Sequence, residues 1–529
     1  MGVIMLDILI KSGTVYDGSG KPGICRDVGV KDGKIVFPDS GAEVESKEVI
    51  DAKGFAVTPG FIDAHTHADE QIYGEPSRAS KLLQGNTTEV AGQCSFSRAP
   101  YLPDAPFDSE ETRLRIALEP TYPSYAEYRK DMESREYGTN ILSFVGHRSI
   151  RASVLGMENR PATSRELDRM KGLLAECMES GAPGMSTGLV YAPSCYAPEE
   201  ELVELLRVVA KYGGMYTTHI RGEADTVVEA LEEALRIGNA AGVPVNISHL
   251  KAMFPQNYHK VDVMLEMIDN AVAKGQDVTF DAYPYDATSS PATSALPPSF
   301  LAKGITAVSD FLGTKEGVAA LRKAVTNQTE VWENPIKNIG AGNFIITDAS
   351  VTTEAIGKRV SEYAAMKGLD EIEAFADLFH RNRCDMTDVR FNMLEENIEK
   401  IYRHSLCLVG SDGLYTGGAA LAHPRAFATF PRYLGRFIRE KKILPLAEGI
   451  RRITGQAADR YRLGGRGYIR EGYVADITVF DPETVIDRAT YEDPFLPNAG
   501  ISCVIVGGVI RARNGELINC ENGKFLTWR

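Results

Sequence analysis

Val57-Thr-Pro-Gly-Phe-Ile-Asp-Ala-His-Thr-His67 is an apolar, strand-like run that ends in two histidines with one residue between them. Side chains alternate faces along an extended strand, so His65 and His67 project to one side and can offer two imidazoles to a single ion. Pro59 and Gly60 interrupt the run early, whereas Phe61, Ile62 and Ala64 suit a strand buried in a barrel wall. By itself, His-x-His at a strand end reads equally well as two solvated histidines. The surrounding chain decides.

From residue 57 to about 430, apolar runs alternate with amphipathic helices. Glu201–Lys211 carries apolar residues at helical spacing and stops before Gly213-Gly214, and the strand Met215–His219 follows. Helix from Thr226, strand Val245–His249, helix Val261–Ala273 and strand Val278–Tyr283 continue the rhythm. Repeated β-α units imply a parallel sheet, and at this length an α/β fold closed as a (β/α)8 TIM-like barrel is expected over an open doubly wound sheet. No GxGxxG or GxxxxGK[ST] stands at a strand-to-helix turn, which removes the main nucleotide-binding readings.

The spacings locate the strand ends. His65 to Cys94 is 29 residues and His219 to His249 is 30, each about one βα unit. Further strands are expected to end near His147 and Thr187, with an insertion over 96–138. His249 to Asp412 is 163 residues, where two units need about 60, so about 100 residues are inserted after strand 7. That insertion, about 288–400, is expected over the barrel mouth.

The 529 residues exceed one ordinary core. Short β-type runs between turns at residues 7–56, and again from Tyr473 to Ile510, imply one small β-sandwich built from both termini. The expected organisation is therefore 1–56 and 466–529 as the two parts of the sandwich, 57–430 as the catalytic barrel and 431–465 as a helical connection. A net charge of -14 argues against nucleic acid and anionic membranes as partners and favours a small-molecule substrate. Eight cysteines without a CxxC pair give no disulfide framework. The N-terminal run lacks a basic region and contains Asp7, and no long uncharged apolar run occurs, so a cytoplasmic location is expected. The oligomeric state is left open.

Active sites of such barrels lie at the C-terminal ends of the strands. The residues there are His65, His67, Cys94, His219, His249, Tyr283 and Asp412, an oxygen, nitrogen and sulfur set suited to zinc. Singly, Cys94 reads as a small buried apolar residue, His219 and His249 as core histidines, and Asp412 as a turn residue. Jointly, at these spacings, the set reads as a site. His147 is assigned a structural or supporting part, and His259, His380 and His404 none.

The motifs Pro59–His67, Gln84-Gly-Asn-Thr-Thr-Glu-Val with Cys94, Gly184–Tyr191, Thr218-His-Ile-Arg-Gly-Glu223, Ser248-His-Leu-Lys251, Asp281-Ala-Tyr-Pro-Tyr285, Ser411-Asp-Gly413 and His423-Pro-Arg425 run through nearly the whole chain. In them the sequence resembles the amidohydrolase superfamily, and within it the N-acyl-D-amino-acid deacylases (D-aminoacylases). The resemblance implies a zinc held tightly by Cys94, His219 and His249, and a second, weaker metal position at His65, His67 and Asp412. It also implies that Lys251 and Tyr283 grip the substrate's α-carboxylate; Tyr191 and Ser289 are further candidates for substrate contact. Hydantoinases and dihydroorotases of the same superfamily carry a modified lysine at the end of strand 4, where this chain reads Gly184-Met-Ser-Thr-Gly188. Such cyclic amidases therefore rank second.

The chemistry expected is zinc-assisted hydrolysis of an amide, with Asp412 accepting a proton from water and delivering it to the leaving amine. Asp286–Pro298, expected to line the side-chain pocket, contains no Arg or Lys. Neutral or apolar D-residues are thus expected over D-glutamate or D-aspartate. A non-catalytic barrel would have lost ligands, whereas every position needed is filled.

Overall fold

The opening stretch serves two sheets. The computed structural model describes residues 4–38, 44–75, 77–107, 119–330, 332–415, 420–518, 521 and 523–528. In it Ala56–Pro59 pairs antiparallel with Ile477–Phe480 and parallel with Thr14–Val15, whereas Phe61–Asp63 opens a separate set of parallel strands. Gly60 is the joint: a Cβ there would lie 2.2 Å from the Thr87 side chain, and its N–H donates to the Asp476 carbonyl. The single strand expected from Val57 into the histidines is therefore corrected, and residues 57–59 pair with the terminal strands.

Parallel strands follow as β1 (Phe61–Asp63), β2 (Asn86–Ala91), β3 (Asn140–Ser143, continued by Val145–Gly146), β4 (Gly184–Gly188), β5 (Met215–His219), β6 (Val245–Ile247), β7 (Val278–Ala282) and β8 (Cys407–Val409). β1, β2 and β3 are neighbours in chain order, and the continuation of β3 leads an arc through to β8. Beyond β1, the Ala64 N–H donates to the Val409 carbonyl at 3.1 Å and Thr66 bridges Gly413 in parallel. These contacts tie β1 to β8. The helices between strands pack as the periodicity requires. Glu199–Lys211 buries Leu202, Leu205, Leu206 and Val209, and three glutamates in its first turn complement the positive end of its dipole.

After β7 comes the long insertion. Ala287–Pro291, Ile345–Ala349 and Met386–Phe391 form an antiparallel sheet with the last in the middle. Helices between them enclose a separate apolar cluster containing Leu296, Phe344, Phe375 and Phe379. The next helix, Glu395–Arg403, packs on β7 and β8, so the chain has returned to the parallel unit by then, a little before residue 400. Of the segment 96–138, residues 108–118 lie outside the described residues, as does Cys520.

The two ends of the chain share a core. One sheet is ordered Lys34–Val36, Val28–Lys31, Ile4–Lys11, Val44–Asp51; the other runs from Glu516–Leu517 through Val509–Arg513, Ile501–Val506, Ile477–Phe480 and Ala56–Pro59 to Thr14–Val15 and Ile24–Cys25. Ile8, Val28 and Ile50 of the first meet Val57, Ile477, Val479 and Ile505 of the second in one buried cluster. Burial of such side chains contributes about 1.5–3 kcal/mol each. No helix among the described residues is long and apolar enough to cross a membrane.

Candidate metal centre and active site

Five strand ends converge. Cys94 stands three residues beyond β2, His219 closes β5, His249 lies two residues beyond β6 and Asp412 three beyond β8. His65 and His67 lie past the last residue of β1, yet Thr66 keeps its bridge to Gly413 and their rings stay 5.9 Å apart beside the cluster. Cys94 Sγ is 3.3 Å from His65 Nε2 and 3.4 Å from His249 Nε2. Asp412 Oδ1 is 3.2 Å from His67 Nε2 and 3.5 Å from His65 Nε2. The donors of His65, Cys94, His249 and Asp412 all lie within 4.8 Å of one another. His219 joins through His249, their rings 4.5 Å apart.

The backbone is bent to achieve this. Cys94 (φ 52°), His249 (φ 35°) and Asp412 (φ 47°) all occupy the left-handed region, at a cost of about 1–3 kcal/mol each. Such strain is retained where the surroundings over-determine it. Gly188 makes room: a Cβ there would meet the Cys94 carbonyl at 2.3 Å.

Carboxylates behind the rings orient them. His65 Nδ1 lies 3.2 Å from Asp281, His67 Nδ1 3.5 Å from Glu70, and His249 Nδ1 3.0 Å from Glu223. His219 Nε2 is 3.5 Å from the other Glu223 oxygen, and its Nδ1 is buried with no hydrogen-bond partner. His65 and His249 thus have Nδ1 faced by a carboxylate and Nε2 turned to Cys94, an arrangement that fits a bound divalent metal, while His67 bonds Asp412 through Nε2. Burial alone would raise the Cys94 thiol, but the His65 and His249 imidazoles hold it well below the ordinary thiol range. A thiolate is the form that ligates metal. Burial likewise opposes ionisation of Asp412, and Arg425 and His249 overcome it, holding the carboxyl well below its usual value.

A model of the amidohydrolase family matches residues 48–512. The chain belongs to this family. It is 34% identical to a D-aminoacylase of Alcaligenes xylosoxydans xylosoxydans over 505 residues, 95% of this chain and 93% of that one. An N-acyl-D-glutamate deacylase of the same organism is also 34% identical, over 506 residues and the same shares of both chains. The crystal structure of an N-acyl-D-glutamate deacylase from Bordetella bronchiseptica, complexed with zinc and a phosphonate inhibitor that mimics the tetrahedral intermediate, superposes with a TM-score of 0.82 at 31% identity, covering 99% of this chain and 100% of that one.

In this amidohydrolase a cavity of about 990 Å³ opens from the cluster, and Tyr191, Lys251, Tyr283 and Ser289 all line it. Tyr191 packs edge-on against Phe96 and His219. The Tyr283 hydroxyl is buried with no hydrogen-bond partner among the described residues, and burial pushes its pKa up to about 12. Lys251 Nζ is committed: it lies 2.6 Å from Glu223 and 2.8 Å from His249 Nδ1. Ser289 sits on the first strand of the insertion, and its carbonyl accepts from Arg425 Nη2. Sequence reading assigned no part to Asp281, Glu223, Glu70 or Arg425, whose Nη1 lies 2.8 Å from Asp412 Oδ2. Asp281, Glu223 and Arg425 fall inside the motifs already singled out, but only folding shows which ring or carboxylate each one faces. His147 bonds Ser194 and Glu201 away from the cluster, consistent with a supporting part.

Proposed function

We propose that this amidohydrolase is a zinc-dependent deacylase of N-acyl-D-amino acids, releasing a carboxylate and a free D-amino acid. The observation that carries the reading is the set of four imidazoles, each backed by a carboxylate and grouped with a low-pKa thiol and an ionised carboxylate at the mouth of a large cavity. Cys94, His219 and His249 would hold the tight metal, with His65, His67 and Asp412 around a second, weaker position. The mutual closeness of His65, Cys94, His249 and Asp412 favours two positions sharing the Cys94 side. Bound zinc supplies Lewis acidity and lowers the pKa of water toward neutrality.

The protein's own groups do the rest. Asp412, kept ionised beside Arg425, accepts the proton of the attacking water and returns it to the leaving amine, which cannot depart as an anion. Glu223 lies 3.0 Å from His249 Nδ1 and 2.6 Å from Lys251 Nζ, anchoring both groups and holding the ring with Nε2 turned to Cys94. Tyr283, with an unsatisfied hydroxyl in the cavity wall, and Lys251 form the cradle for the substrate's α-carboxylate, with Tyr191 and Ser289 flanking it. Fixing that end orients the scissile amide and selects one stereoisomer. Neutral or apolar side chains are preferred, and a cyclic-amidase reading ranks lower because β4 carries no lysine.

The same reading takes the two arcs of parallel strands as one closed (β/α)8 barrel, supported by the Ala64–Val409 hydrogen bond, and the two terminal sheets as a β-sandwich, supported by their shared core. The decisive experiment is a screen of paired N-acyl D- and L-amino acids with zinc-loaded protein. Turnover confined to D-forms is expected; turnover of hydantoins or dihydroorotate alone overturns the assignment.

A further inference from the structure

Overall similarity does not separate neutral from acidic substrates, since a D-aminoacylase and an N-acyl-D-glutamate deacylase are both 34% identical to this chain. The insertion separates them. Its middle strand, Met386–Phe391, presents Arg390 to the cavity, the cation that the run Asp286–Pro298 lacks. A guanidinium in a side-chain pocket would ordinarily select a second carboxylate by bidentate hydrogen bonding. Here the Nε–Nη2 edge of the guanidinium is already used and its charge is already paired. Asp388, two residues earlier on the same face of the strand and fully buried, engages Arg390 through Nε–Oδ1 at 2.6 Å and Nη2–Oδ2 at 3.0 Å. Arg390 Nη2 also donates to Ser294 Oγ at 3.0 Å, and the guanidinium stacks 4.9 Å from the Phe344 ring centroid.

We propose that Asp388 is the residue that sets this enzyme's side-chain specificity: by holding Arg390 in a closed, charge-neutral pair it turns a pocket built around a cation into one for uncharged D-side chains. The proposal rests on the deacylase reading above. Other charges on this side of the cavity point the same way. Glu330, Glu333 and Asp348 line it, and Lys337 stands at its exposed rim. A substrate carboxylate entering there would meet a guanidinium already neutralised by Asp388 and the carboxylates of Glu330 and Asp348, so its desolvation would be poorly compensated.

The test is kcat/KM for the N-acetyl derivatives of D-methionine, D-glutamate and D-lysine with zinc-loaded wild type, Asp388→Asn, Arg390→Gln and the double variant. Wild type should favour methionine over glutamate. Asp388→Asn frees Arg390 and should raise the glutamate-to-methionine ratio about tenfold or more, the size of one charge-assisted contact. Arg390→Gln leaves Asp388 alone and should raise the lysine-to-glutamate ratio by about the same factor. The double variant, lacking both charges, should return the glutamate-to-methionine ratio to within about threefold of wild type. A stability effect lowers all three substrates together and cannot reverse their order. If buried Arg390 without a partner prevents Asp388→Asn from folding, Arg390→Gln and the double variant carry the test. Wild-type preference for glutamate, or unchanged ratios in the folded variants, overturns the proposal alone. No turnover of any N-acyl-D-amino acid overturns the deacylase reading and this proposal together.

Discussion

The rim of the parallel strands and the wall contributed by the insertion face the same cavity and handle polar groups in opposite ways. At the rim, carboxylates sit behind His65 and His249 and leave their Nε2 atoms turned to Cys94, and Cys94, His249 and Asp412 accept a strained backbone. In the insertion, charged groups close upon one another or upon backbone: Arg390 on Asp388, and Glu333 on the amides of Glu223 and Ala224. One region keeps binding capacity open and the other uses it up. The rim is built to do chemistry, and the insertion to decide what reaches it.

The largest break in that contrast is expected at the rim. Asp412→Asn should retain zinc while kcat falls by about 100- to 10,000-fold, the usual contribution of a positioned acid–base group. Turnover within a few-fold of wild type, with metal content measured in parallel, would remove Asp412 from the proton path. Next comes the support of the rings. Glu223→Gln withdraws the carboxylate shared by His249 and Lys251 and should weaken zinc affinity or activity about 10- to 100-fold. Chelator competition measures it, and unchanged affinity would make Glu223 a bystander.

Glu333 is where the two regions touch. Its Oε1 accepts the Glu223 N–H at 2.6 Å and the Ala224 N–H at 3.3 Å, while burial, with the nearby Glu223 carboxylate, raises its pKa to about 7. The ordinary carboxyl value is lower, so the unfolded chain ionises first as pH rises. Stability from the protonated group is present in full below that ordinary value and is lost as pH climbs through about 7. Relative to Glu333→Gln, wild type should therefore lose on the order of 1–3 kcal/mol between pH 5 and 8. Parallel denaturation curves for the two proteins at several pH values check this; identical pH profiles would show that the contact carries no buried acid. The smallest effect is Tyr283→Phe, which removes a hydroxyl with no hydrogen-bond partner among the described residues. Stability and zinc content should hold, and KM should rise by about fivefold, the worth of one hydrogen bond of about 1 kcal/mol. An unchanged KM would leave the α-carboxylate cradle to other groups.

Much of the rim was legible from residue types and spacing. His219 and His249 fall one βα unit apart because each closes an equivalent strand, and Asp412 was displaced by a countable insertion. Less legible was the sheet change at Gly60, since an apolar run through Pro59 and Gly60 looks the same whether its halves pair with one partner or two. Which donors lie next to one another was also beyond the sequence. The motifs implied Cys94 with His219 and His249, and the structure gathers donors in two overlapping groups that share His249: His65, Cys94, His249 and Asp412 in one, His219, Glu223 and His249 in the other. The resemblance implied that Lys251 grips the substrate's carboxylate, and only the fold shows that its ammonium also contacts Glu223.

Sequence by itself determined the order of strands and helices, the residue types that gather at the strand ends and the place where the insertion enters, because periodicity and spacing are local properties of the chain. Tertiary structure alone decided which nitrogen of His65 and of His249 faces Cys94, that Glu223 serves two rings and a lysine, and that Arg390 meets Asp388 within the cavity wall. Those outcomes depend on side-chain direction and on distances of a few ångströms between residues far apart in the chain, where hydrogen bonding and charge compensation are either satisfied or lost.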